Sequence, residues 1–103
     1  MIRIQVHVGP DAKRRTRELY QAVKQHARVW RSADLTQPEH LTLIHEARNV
    51  KGRVRGVQSK DPEYLAFSCT GRTEVEEAIT AGRFVHLVFR DLQAVSDISL
   101  HRR

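Results

Sequence analysis

The chain has 103 residues, of which 40% are apolar and 29% charged, with a formal net charge of +6 and one cysteine. This suffices for one core but not two, so a single domain over residues 1–103 is expected. The balance excludes a disordered chain, the lack of any apolar run near roughly 18 residues excludes a membrane-spanning helix, and the lone Cys69 excludes an internal disulfide.

A reducing, cytoplasmic setting is the simplest expectation, because "MIRIQVHVGPD" alternates instead of presenting the apolar block of a signal peptide. The charge is uneven. Residues 1–60 hold 13 Lys or Arg against 5 Asp or Glu, and residues 61–103 hold 5 against 7. An electropositive face toward a polyanion is the expectation that follows.

In chain order, Ile2, Ile4, Val6 and Val8 alternate with Arg3, Gln5 and His7, which predicts a half-buried strand. Pro10 then suits the first turn of a helix. A helix is predicted over residues 11–31, with Ala12, Thr16, Leu19, Tyr20, Val23, Ala27 and Trp30 in one apolar stripe. Beside that stripe Lys13, Arg17, Lys24, Arg28 and Arg31 form a ridge, with Arg14 just beyond it. Only Asp11 and Glu18 are acidic in this segment.

A polar connector ends at Pro38. "LTLIHE" (41–46), residues 50–58 and "YLAFSC" (64–69) read as three strands, joined by turns at "EARN" and "SKDPE". The connections are too short for crossovers, so the three form an antiparallel meander. Thr73 and Glu76 have capping-box spacing for a second helix, with Val75, Ala78, Ile79 and Gly82 on one face and Gly82 as its terminator. "FVHLVF" (84–89) is apolar on both faces and is expected as a central strand. "AVSDISLH" is expected as the last strand. The predicted fold is α+β, in the order β-α-β-β-β-α-β-β, a mostly antiparallel sheet with two helices packed on one face. A ferredoxin-like arrangement with an added strand fits that order.

The basic residues carry the main functional expectation. Lys13, Arg14, Arg17, Lys24, Arg28 and Arg31 on the helix, with Lys51, Arg53 and Arg55 on the strand, place long cations at intervals suited to nucleic-acid phosphates. Gly52 and Gly56 would allow close backbone approach, although glycine in a strand also marks bulges. The competing explanation is a solvated helix flank plus an edge strand guarded by Lys and Arg. Whether the two basic lines converge is the geometric question. Base readout is expected to be weak, since Tyr64 is the one aromatic expected at the surface and no aromatic sheet motif or GXXG loop is present.

The expected function is therefore binding of RNA or DNA through backbone phosphates, with little sequence readout. One alternative is a metal-independent, toxin-like endoribonuclease using histidine as acid and base, drawing on His7, His40, His45, His86 or His101. Another is a protein–protein module that docks an acidic partner or forms a homodimer through a strand edge. No cofactor is expected. Nor is a metal, because CxxC, HxH and HExxH are absent. "SCTGRTE" (68–74) could surround an anion with Arg72, Thr73 and helix-start amides, and could lower the Cys69 pKa. The simpler explanation, and the one expected, is a capped helix after a buried cysteine.

Overall fold

The alternation at the N-terminus forms β1 (Ile2–His7) in the computed structural model, with Ile2, Ile4 and Val6 buried and Arg3 and Gln5 exposed. The structure describes residues 1–25, 29–34, 42–57, 59–92 and 97–102. After β1 come α1 (Ala12–Gln25), β2 (Trp30–Asp34), β3 (Thr42–Ala47), β4 (Val50–Val57), β5 (Tyr64–Gly71), α2 (Glu74–Asp91) and β6 (Asp97–Arg102). The fold is α+β, as expected. Its six-stranded sheet runs β2-β3-β4-β5-β1-β6, and every neighbouring pair is antiparallel.

This order dictates where the helices lie. Alternating directions make β1 and β2 co-directed, and likewise β5 and β6, so each helix is a crossover between co-directed strands. The two crossovers leave oppositely directed strands and travel in opposite senses across the sheet. A right-handed connection therefore puts both helices on the same face. Leu19, Ala22 and Val23 of α1 and Ala81, Phe84, Leu87 and Val88 of α2 accordingly share one buried cluster with Ile4, Val6, Leu43, Val54 and Phe67. The strands β4-β5-β1-β6 with α1 and α2 have the ferredoxin-like order. The addition is two strands, β2 and β3, rather than one.

Two expected elements are corrected. The first helix ends at Gln25 instead of residue 31, and Trp30 and Arg31 belong to β2. Trp30 happens to continue the helical stripe of α1, but it is buried from the strand instead. It packs edge-on against His45 at 4.9 Å and Phe84 at 6.0 Å.

The second correction is residues 84–89, which lie within α2 and not in a central strand. A short apolar run carries no period of its own. Here the run extends a stripe already set by the preceding turns: Glu77, Thr80, Ala81, Phe84, Leu87 and Val88 are the buried positions of α2. Phe89 is consequently 57% exposed and Val75 68%. Gly82 does not stop the helix, which continues to a cap at Leu92. The expected N-cap is present, with Thr73 Oγ1 accepting from the Glu76 amide at 3.1 Å.

Candidate nucleic-acid interface

The helices cover one face of the sheet, and strand alternation assigns each basic side chain to a face. On β4, Val54 and Gly56 are buried toward the helices, while Lys51, Arg53 and Arg55 are exposed on the opposite, open face. β4 is also an interior strand, paired with β3 on one side and β5 on the other. Edge protection therefore does not account for its cations.

The register brings a further residue to them. Arg55 is paired with Ser68, Ser68 with Arg3, and Arg3 with His101. One row across the open face thus reads Arg55, Ser68, Arg3, His101. In the neighbouring row Arg53 is paired with Thr70. Residues two apart on a strand are separated by about 7 Å, and two strands apart by about 10 Å. Arg3, Arg53 and Arg55 form a cluster of that size, with two hydroxyl side chains between them. Among the described residues no carboxylate pairs with these three. Lys51 at the rim contacts Glu46 at 3.7 Å. Arg3 was not part of the expected site, although its place opposite Ile2 and Ile4 in the alternating β1 pattern was the available signal.

The helix line does not join this cluster. α1 lies on the covered face, so its positions Lys13, Arg14, Arg17 and Lys24 are separated from β4 by the sheet. Arg14 is drawn to Asp11 at 3.5 Å and Glu18 at 3.8 Å, while Arg17 is exposed. Arg31 is the exception: it is on β2, not the helix, and its position is paired with Ile44, which is paired with Arg53, so the register puts it in the Arg53 row of the open face. Arg28 falls outside the described residues.

Gly52 of β4 serves packing and not ligand approach, together with Gly71 of β5. Gly52 is paired with Gly71, and α2 presses on both. A Cβ on Gly52 would overlap the Thr80 side chain, and one on Gly71 would come within 2.5 Å of the Glu77 amide nitrogen. The two glycines let the first turns of α2 sit almost on the strand backbones.

"SCTGRTE" is occupied by the protein itself. Arg72 donates to Glu76 Oε1 at 3.0 Å and Oε2 at 2.9 Å, and to the Asn49 carbonyl at 2.9 Å. Glu76 Oε2 also accepts the Lys51 amide at 2.7 Å. Hydrogen bonding from Arg72, then from Lys51, holds the Glu76 carboxyl below the usual carboxylate range. Glu76 thus fills the place at the helix start that an external anion would need. The lowered Cys69 pKa is reversed. Burial, then the Glu77 carboxylate, pushes the thiol up to about 11, so Cys69 is a core residue.

The described histidines are dispersed. His7 and His101 share the open face but are four residues and one strand apart, on the order of 14 Å. His45 is fully buried and His86 is on α2, on the other side of the sheet. His40 lies outside the described residues. No group of three or more potential metal ligands occurs among the described residues, and no described helix is long and apolar enough to cross a membrane.

Comparison with protein-family models, with curated proteins and with solved structures returned no match.

Proposed function

We propose that the open face of the sheet binds single-stranded nucleic acid through its phosphates, with Arg3, Arg53 and Arg55 as the central contacts and Lys51 at the rim. The observation that carries this reading is the set of three arginines on interior strands, clustered by register and without carboxylate partners among the described residues. Guanidinium groups make charge-assisted, bidentate bonds to phosphate, and Ser68 and Thr70 add hydroxyl donors of the kind used for backbone contacts. An open, gently twisted sheet suits an extended strand better than the groove of a duplex. His7 and Tyr64 pack edge-on at 4.9 Å with their planes 68° apart, so they form no flat platform for successive bases and sequence preference is slight. The free, buried thiol is compatible with a cytoplasmic setting.

The test is fluorescence anisotropy with a labelled mixed-sequence single strand. The double variant Arg53→Glu, Arg55→Glu should lose binding by more than tenfold, while Arg17→Glu, on the covered face, should bind as the native protein does. Equal losses in both, or no binding by the native protein at low salt, would sink the assignment. Recovering the strand intact after incubation in EDTA separates binding from metal-independent cleavage.

A further inference from the structure

The two added strands also shape the covered side of the sheet. β2 and β3 continue the sheet beyond α2 and leave a cleft of about 510 Å³ between that helix and the end of β3. This is within the roughly 300–1,000 Å³ range of small-molecule pockets. Trp30, Ile79 and Leu87 supply apolar lining, and Arg48 and Arg83 line it as well. Arg90 also lines the cleft, but its charge is already paired with Asp91 at 3.3 Å.

We propose that this cleft binds a small phosphomonoester carrying an apolar body, with Arg83 and Arg48 holding the phosphate. Three features of the site support the assignment. Arg83 is half-buried, and the side-chain partner it has among the described residues is the imidazole of His45, with Nη1 3.0 Å from Nε2. A guanidinium can only donate, so Nε2 accepts and Nδ1 carries the proton. His45 is fully buried. A neutral ring therefore aims Arg83 without cancelling its charge, where a carboxylate would have done both.

The second feature is Arg48. It occupies a two-residue hairpin turn with Asn49, at φ 52° and 65° respectively. Both positions need the left-handed conformation, which favours Asn, Asp or Gly. An arginine there accepts a conformational cost and projects an exposed cation, one with no ion pair among the described residues. The third is Gly82, which lines the cleft in the middle of α2, with open space where a Cβ would be. Helix stability alone would favour alanine there. The missing side chain keeps the cleft wide.

The probe is 1-naphthyl phosphate, titrated by its own fluorescence, with 1-naphthol and inorganic phosphate as controls. Naphthyl phosphate should bind saturably, and each control at least about tenfold more weakly. Each guanidinium supplies charge-assisted hydrogen bonds to the phosphate, so Arg83→Gln and Arg48→Gln should each weaken binding about tenfold or more. Arg48 lies on an exposed turn, so that variant does not endanger the core. Gly82→Leu should block the cleft while thermal unfolding stays cooperative. The Arg53→Glu, Arg55→Glu variant should bind the probe as the native protein does, because it alters the opposite side of the sheet. The proposal is overturned if the native protein shows no saturable binding. It is equally overturned if Arg48→Gln and Gly82→Leu bind like the native protein, or if the open-face variant abolishes binding.

Discussion

At the scale of single residues, the structure turns on a few close approaches. Gly52 is the clearest, since any side chain there must displace Thr80, whose hydroxyl is itself buried without a hydrogen-bond partner among the described residues. Overpacking of this kind costs about 1–3 kcal/mol. Gly52→Ala should therefore lower the free energy of unfolding by that amount, read as a lower urea midpoint with an unchanged slope, and an unchanged midpoint would show that α2 can ride upward freely. Glu76 is the other, because it ties the start of β4 to the start of α2. Its folded pKa is depressed, so its contribution is present above the unfolded carboxylate value near 4.5 and is lost as pH falls through the lower folded value. Glu76→Gln should flatten the stability profile on the acid side of pH 4.5. An acid limb identical to that of the native protein would assign the loss to other carboxylates. Cys69 shifts the opposite way. Its thiol stabilises the neutral, buried form below about pH 9, and that contribution falls away as pH rises toward the folded value of about 11.

At the scale of elements, α2 illustrates how context overrides local preference. Residues 84–89 are rich in β-formers, yet Thr73 caps a helix whose buried stripe runs without interruption from Glu77 to Val88. Burying Phe84 against Phe67 at 4.8 Å and Trp30 at 6.0 Å outweighs the modest β preference of the run. Gly82 is the weak point of this helix, and its surroundings are open. Gly82→Ala should raise stability by about 0.5–1 kcal/mol, measured by thermal or urea unfolding. A destabilised variant would mean that the helix is distorted at that position. β2 shows the converse. A residue in phase with a helical stripe can be buried equally well from a strand, and Trp30 is 4% exposed in that setting.

At the scale of the whole molecule, the sheet separates two cationic surfaces. The open face carries Arg3, Arg53 and Arg55, and the cleft beside α2 carries Arg48 and Arg83. With about 4 phosphate contacts on the open face, log K for a single strand should fall against log salt with a slope of about −2.8. A slope near zero would remove phosphate contacts from the account. The Arg53→Glu, Arg55→Glu variant should reduce the slope as well as the affinity, which separates lost contacts from a misfolded protein. Glu46 and Asp97 lie in outer rows of the register, opposite Lys51 and His7, while Asp34 is paired with Thr42 at the end of the row that holds Arg55 and Arg3.

The sequence by itself determined the α+β class, the alternation of β1 and β4, the capped start of α2 and the excess of positive charge in the first 60 residues. These features are local: a period of two or a cap motif needs only neighbouring residues. The tertiary structure decided which cations act together. Arg3 meets Arg55 only through Ser68 on an intervening strand, and β4 loses the character of a guarded edge only because β3 and β5 flank it. It also decided that α1 and β4 present their charges to opposite sides, since the handedness of both crossovers puts the helices on one face. Periodicity reports that one side of an element is buried; what lies beside that element is set by pairing and packing between segments far apart in the chain. For that reason the arginine cluster and the cleft beside α2 became visible only in the folded molecule.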